Sequence, residues 1–274
     1  MKQSVANKRV TGKEQYYTKP DAADICVSYC LPFVSSDDLF IEPAGGTGEF
    51  VEAFKRAGFT NILSCDVEPK HPDVDLGNFL ETEMPAGVVI SNPPFGRANS
   101  LSKKFFNKAA SDGAKYIGFL VPKSWRKWSV QNSLDNNYHL VVDEEMPSNC
   151  FYGDNQRDEG VLQTVFQLWE RREYKREKVS VEDRGYIKKV KPVDGVVSGA
   201  NFSVVVFGHS CGRCAEVEGD VPYKTTTMYL YVEDEEVKEK LKSLDYDRFS
   251  TNVAYVKALS IQEINYLLND AMVS

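Results

Sequence analysis

Long apolar runs are what this 274-residue sequence most plainly lacks. No stretch approaches the ~20 apolar residues that cross a bilayer as a helix, so no membrane partner is expected. The opening Met1-Lys2-Gln3-Ser4 is too polar to resemble a secretory leader. Cysteine is scarce as well. The six (26, 30, 65, 150, 211 and 214) include several in apolar surroundings, which predicts reduced thiols and a cytoplasmic protein rather than a disulfide framework. With 3 histidines in all, Cys211-Gly212-Arg213-Cys214 finds no second ligand pair, and His209 is too close in sequence to supply one. No metal is therefore expected there; a loop between strands or a redox pair are the two readings. An excess of basic charge is missing too. The formal net charge of −7 argues against indiscriminate nucleic-acid binding by the whole surface, but allows a local basic patch.

What is present is ordinary globular composition, 42% hydrophobic and 27% charged, long enough for one large domain or one domain with an appendage. Residues 1–13, rich in Lys, Asn, Ser and Gly, read as a flexible arm. From Ala22 to Phe33 the apolar spacing is helical, with Thr18 or Lys19 at the N-cap and Pro20 and Asp21 in the first turn. Tyr17 and Thr18 could turn a hydroxyl and backbone donors toward an anionic group.

Asp38–Pro43 reads as a strand, Ala44-Gly45-Gly46-Thr47-Gly48 as a glycine-rich turn, and Glu49–Arg56 as a helix ended by Gly58. That succession lets a ligand approach the backbone closely in a doubly wound sheet. Glu42 ahead of the glycines would repel a phosphate, so a zwitterionic or cationic ligand fits better than a dinucleotide. Asn61–Cys65 is a second strand, and Asp66 at its tip is placed to accept both hydroxyls of a ribose. A third apolar run, Gly87–Ile90, delivers Ser91-Asn92-Pro93-Pro94-Phe95. The prolines fix the backbone and remove two donors. An amide acceptor, a fixed carbonyl and an aromatic plate are what a planar amine-bearing ring requires; a Pro-rich turn capped by a half-buried Phe is the plainer alternative.

Together, Tyr17-Thr18, Glu42-Pro-Ala-Gly-Gly-Thr-Gly48, Asp66, Asn78-Phe79 and Asn92-Pro-Pro-Phe95 resemble the S-adenosylmethionine-dependent amino-methyltransferases, above all the adenine-N6 DNA methyltransferases in their gamma-type motif order. Small enzymes of phages and large DNA viruses look closest in plan, which would place the chain in a host cytoplasm. The resemblance implies a Rossmann-like class I methyltransferase fold: α/β, with a mostly parallel seven-stranded sheet and helices on both faces. It implies a catalytic domain over 14–172, and 173–274 as a basic linker with a small α+β target-recognition region. By the same resemblance Tyr17 and Thr18 hold the cofactor carboxylate, and Glu42, Ala44, Gly46 and Gly48 hold the methionine part. Asp66 takes the ribose hydroxyls, Val67 beside it is a further cofactor contact, and Asn78 and Phe79 contact the cofactor adenine, with Asn78 replacing the family's Asp. Asn92 and the Pro93 carbonyl accept from the target amine, Pro94 stiffens the loop, and Phe95 stacks on a flipped base. Phe151 would be a second aromatic plate.

Two further stretches suit nucleic acid. Pro122–Trp128 interleaves Lys123, Arg126 and Lys127 with Trp125 and Trp128, although a helix start with Trp packed inward is the competing reading. Residues 171–191 carry nine Lys/Arg, Lys188 and Lys189 among them, against four acids, as a solvated linker or as a phosphate track. The expected partner is DNA with RNA as the alternative, acting as a monomer or weak dimer. Glutamine-N5 protein methylation, cytosine-N4 methylation and an inactive nucleic-acid binding subunit are the rival functions.

Overall fold

The structure, a computed structural model, describes residues 16–152 and 162–273, so the arm expected over 1–13 lies outside the described residues. The chain divides into two units, Met1–Pro122 with Ser129–Glu177, and Lys123–Trp128 with Lys178–Ser274.

The first unit begins with β1 (Tyr17–Thr18) and α1 (Pro20–Cys30). Pro20 opens α1, where a missing N–H costs nothing; Lys19 is the N-cap and makes no side-chain cap. Next come β2 (Phe40–Glu42), α2 (Glu49–Arg56), β3 (Ile62–Asp66), β4 (Asp75–Leu76) and β5 (Val88–Ser91). They are followed by α3 (Ser100–Ser111), β6 (Tyr116–Pro122), the short α4 (Trp128–Gln131), β7 (Tyr138–Glu145), β8 (Phe151–Tyr152) and β9 (Thr164–Arg171). Every residue of β2, β5 and β6 is buried, as a parallel sheet covered on both faces demands.

Seven strands form one sheet in the order β4-β3-β2-β5-β6-β9-β7. Neighbours run parallel from β4 to β6, and β9 lies antiparallel between β6 and β7. Pleat alternation assigns the helices to faces. Phe40 packs on Phe54 of α2 at 4.8 Å and Phe166 on Tyr29 of α1 at 6.2 Å. Phe119, on the other face from Leu120 and its partner Phe166, meets Phe106 of α3 at 6.1 Å. Helices thus cover both faces of the mostly parallel seven-stranded sheet, the Rossmann-like α/β class that the sequence predicts. Strand order reverses between β2 and β5, and such a switch point opens a crevice at the carboxyl ends of the strands.

The second unit is α+β. Strands β10 (Lys188–Val190), β12 (Phe202–Val205), β13 (Cys214–Glu216) and β15 (Thr227–Tyr231) form an antiparallel sheet in the order β10-β15-β12-β13, and β11 (Val196–Val197) pairs with β14 (Val221–Pro222). Helices α5 (Glu235–Ser243), α6 (Asp247–Ser250) and α7 (Ile261–Ala271) follow. Phe202, Leu230, Val237, Leu241, Ile264 and Leu268 are among the buried side chains of its core. A capping box between Ser260 and Glu263 starts α7, and Lys127 pairs with Glu263 at 2.8 Å.

Candidate active site

At the switch point a cavity of about 420 Å³ is lined by the turns that follow β2, β3, β4 and β5, together with Tyr16, Tyr17 and Thr18. Of the residues expected to bind a cofactor, Tyr17, Thr18, Glu42, Ala44, Gly46, Asp66, Val67, Asn78 and Phe79 all line it, as do Asn92, Pro93, Pro94 and Phe95. Gly48 does not. It is buried at the start of α2 with φ of 84°, and an added Cβ would lie 2.3 Å from the His71 ring, so its part is to shape the turn. Gly45, to which the sequence reading gave no role, is as constrained: a Cβ there would meet Ser64 Oγ at 2.3 Å.

The turn is braced by carboxylates. Asp66 Oδ2 accepts from the Gly46 N–H at 2.9 Å, and its Oδ1 from the Glu68 N–H at 2.8 Å. Each oxygen keeps a further lone pair, so a diol remains within the capacity of this half-buried side chain. Glu42 is 1% exposed; its Oε1 accepts from Ser91 Oγ at 2.6 Å and from the Ala44 N–H at 2.9 Å. Burial pushes its carboxyl up to about 8, opposed by those two donors. Asn78 Oδ1 accepts from the Leu80 N–H at 3.2 Å, closing a local turn. Phe79 is buried against Phe105, with ring centroids 5.3 Å apart. The Lys70 ammonium lies 4.4 Å from the Tyr17 ring centre and donates to its hydroxyl.

At the tip of β5 the Asn92 amide is oriented by one bond. Its Nδ2 donates to the Tyr16 carbonyl at 2.7 Å. A carbonyl only accepts, so Oδ1 must face the other way, where it is buried and no donor among the described residues reaches it. Phe95 follows, its carbonyl accepting from the Leu101 N–H at 3.1 Å at the first turn of α3.

Phe151 reaches this region through a pairing invisible in local sequence. β1 runs antiparallel to β8, with Thr18 opposite Phe151, and the Lys19 N–H donates to the Cys150 carbonyl at 2.8 Å. Phe151 does not line the cavity, but its ring is edge-on to Phe95 at 6.4 Å. Tyr16, missed by the sequence reading, touches both rings. Its one advance signal was its place beside Tyr17.

The expected nucleic-acid contacts fare differently. Trp125 is fully buried (0% exposed) in a 3-10 turn at Lys123–Arg126, so it offers no face to a nucleic-acid strand. Its apolar ring is worth more inside the protein than on the surface, and the inward-packing reading holds for it. Lys123 and Arg126 are half-buried. The stretch after β9 is more than a linker. Arg176 donates to the carbonyls of Tyr138, Gln131 and Leu134, and Lys188 and Lys189 are exposed on β10, where strand alternation points them to opposite faces. All six cysteines are free thiols. Among the described residues one group has metal-ligand spacing, Glu52, His71 and Asp73, but the Lys55 ammonium pairs with both of its carboxylates.

No protein-family model matches the chain, and no curated protein matches it. Solved structures do. A protein provisionally described as an RNA methyltransferase from Pyrococcus horikoshii is 17% identical, with a TM-score of 0.44 over 60% of this chain and 88% of its own. The type I restriction enzyme EcoKI M protein is 14% identical, with a TM-score of 0.43; the match covers 59% of this chain and 45% of that one. Thermoplasma acidophilum 1320 is 13% identical, with a TM-score of 0.45 over 57% of this chain and 89% of that one. Likeness at this level carries no activity from those proteins to this chain.

Proposed function

We propose that the first unit is an S-adenosylmethionine-dependent methyltransferase and that it methylates the N6 amine of adenine in DNA, taking the base out of the duplex. The observation that carries this reading is the Asn92 amide: Nδ2 is pinned to the Tyr16 carbonyl, no donor among the described residues reaches Oδ1, and Asn92 lines the same cavity as Phe95, the glycine turn and Asp66. An exocyclic amine supplies the missing donor, and a purine supplies the face for Phe95.

The cavity suits the cofactor in size and chemistry. Asp66 would accept from the ribose hydroxyls, the close-approach glycines would admit the methionine part, and Glu42 would lie near its positive charge. Val67, 64% exposed and on the cavity wall, would cover an adenine face. When bound, the cofactor would supply a methyl group from a positively charged sulfur to the lone pair of the amine nitrogen, with the neutral thioether as leaving group and the surplus amine proton passing to solvent. Asn92 Oδ1, accepting from an amine N–H, turns that lone pair out of conjugation and stabilises the growing positive charge on nitrogen.

DNA rather than RNA is favoured by the resemblance alone, and exposed Lys188 and Lys189 suit either polymer. The test is transfer of a tritiated methyl group to DNA, RNA and protein in parallel, followed by nucleoside analysis. N6-methyladenine from DNA is the expected product; label only on protein, or only on cytosine, would defeat the assignment.

A further inference from the structure

Tyr16 holds two positions at once. Its carbonyl accepts from Asn92 Nδ2, and its ring lies on Phe95 with centroids 5.5 Å apart and planes at 29°. It is also 5.5 Å from Phe151 at 57°, so the three rings form a triangle, and Phe95 and Phe151 are left 8% and 4% exposed. A near-parallel arrangement at that distance is ordinary aromatic stacking, and it is the arrangement a purine on Phe95 would adopt. Neither plate is free for a base while Tyr16 stays. Asn92 Oδ1 is also sealed from solvent, and no donor among the described residues reaches it, which is unfavourable for a buried acceptor.

Resting on the reading of this cavity as an adenine methyltransferase site, we propose that Tyr16 gates the target-base slot. Its ring occupies the place of the base on Phe95 and swings away about its side-chain torsions to admit one. Its carbonyl, fixed by the adjoining β1–β8 pairing, stays and keeps Asn92 Oδ1 aimed at the incoming amine. The exchange is selective. Any base can replace the Tyr16–Phe95 stack with its own, but only one bearing an amine gives Asn92 Oδ1 its missing donor. A base with a carbonyl at that position sets acceptor against acceptor.

The test uses adenosine and inosine as probes, titrated by calorimetry into the full chain with its cofactor site saturated by S-adenosylhomocysteine. Inosine differs in carrying a carbonyl where adenosine carries the amine. Tyr16→Ala should bind adenosine at least tenfold more tightly than wild type, with a much smaller gain for inosine. Tyr16→Leu, which fills space without a stacking face, should move the same way and serves if the alanine variant does not fold. Adenosine affinity unchanged or weakened in both variants would overturn the gate, because Tyr16 would then be a fixed plate. Equal gains for inosine would also overturn it, leaving only an enlarged hole. Failure of wild type to bind S-adenosylhomocysteine at all would instead remove the underlying methyltransferase reading.

Discussion

Ser91 Oγ donates to Glu42 Oε1 at 2.6 Å, a buried bond that joins the carboxyl end of β5 to that of β2. The strand that carries Asn92 and the strand that leads into the glycine turn are therefore clamped where the strand order reverses. Ser91→Ala removes a donor from a buried carboxyl and should cost about 1–3 kcal/mol in chemical denaturation. It should also push the Glu42 carboxyl higher, since Ser91 is the stronger of the two donors that oppose its burial.

Glu42 itself should make stability fall with rising pH. Its folded value, about 8, lies above the value of an unfolded carboxyl, so between roughly pH 4.5 and 8 the folded chain holds a proton that the unfolded chain has lost. The stability it contributes is complete below that window and is lost as pH rises through it. Glu42→Gln keeps the neutral shape and should flatten this slope, measured as midpoint temperature across pH 5 to 8.5. Parallel slopes for the two proteins would mean that Glu42 is already ionised in the fold.

The glycine turn should be intolerant of a single methyl group. Gly48→Ala must place a side chain at a left-handed φ and against the His71 ring, and should lose about 1–3 kcal/mol. Gly58 has a similar φ of 90° but nothing near its absent side chain, so Gly58→Ala should cost less and leave cofactor affinity alone. Calorimetry with S-adenosylhomocysteine beside thermal melts separates the two.

Replacing Lys188 and Lys189 by Gln should weaken DNA binding similarly across sequences and reduce the slope of log affinity against log salt, since both are exposed cations on β10. Arg176→Gln should act through stability instead, because its guanidinium serves backbone carbonyls in the first unit. An unchanged salt slope for the double lysine variant would take the phosphate role from them.

Much of this architecture was legible because buried parallel strands are short apolar runs and turns announce themselves with glycine and proline. The predicted helix Glu49–Arg56 is α2, and the predicted strand ending at Asp66 is β3. Asp66 and Asn92 on the cavity wall were legible for the same reason, since each lies one or two residues past such a run. What local sequence could not carry was pairing over distance. Tyr16 and Phe151 meet only because β1 pairs with β8 across more than 130 residues. Trp125 misled in the opposite way: cations next to tryptophan read alike whether the ring faces solvent or the core, and burial of so large an apolar surface decides for the core. Lys188 and Lys189 sat in a charged run with little apolar alternation, so their strand was hidden, and pairing with β15 is what makes it.

Phe95 and Asn92 should separate in their responses. Phe95→Trp keeps a stacking face and should be milder than Phe95→Ala, chiefly in the apparent affinity for nucleic acid. Asn92→Asp keeps an acceptor for the amine but sets a carboxylate oxygen against the Tyr16 carbonyl. It should fall between wild type and Asn92→Ala in rate while losing thermal stability.

Asn92→Ala is the most direct test of the account. It removes the acceptor at the reacting nitrogen and leaves Asp66 and the glycine turn untouched. Measured as single-turnover methyl transfer to DNA at saturating S-adenosylmethionine, the rate should drop by roughly 10²–10³-fold, the usual loss for a group acting where charge develops. Cofactor affinity should change less than threefold. Near-normal transfer by Asn92→Ala would contradict the account, because Asn92 Oδ1, which no donor among the described residues reaches, would then have no part in the chemistry.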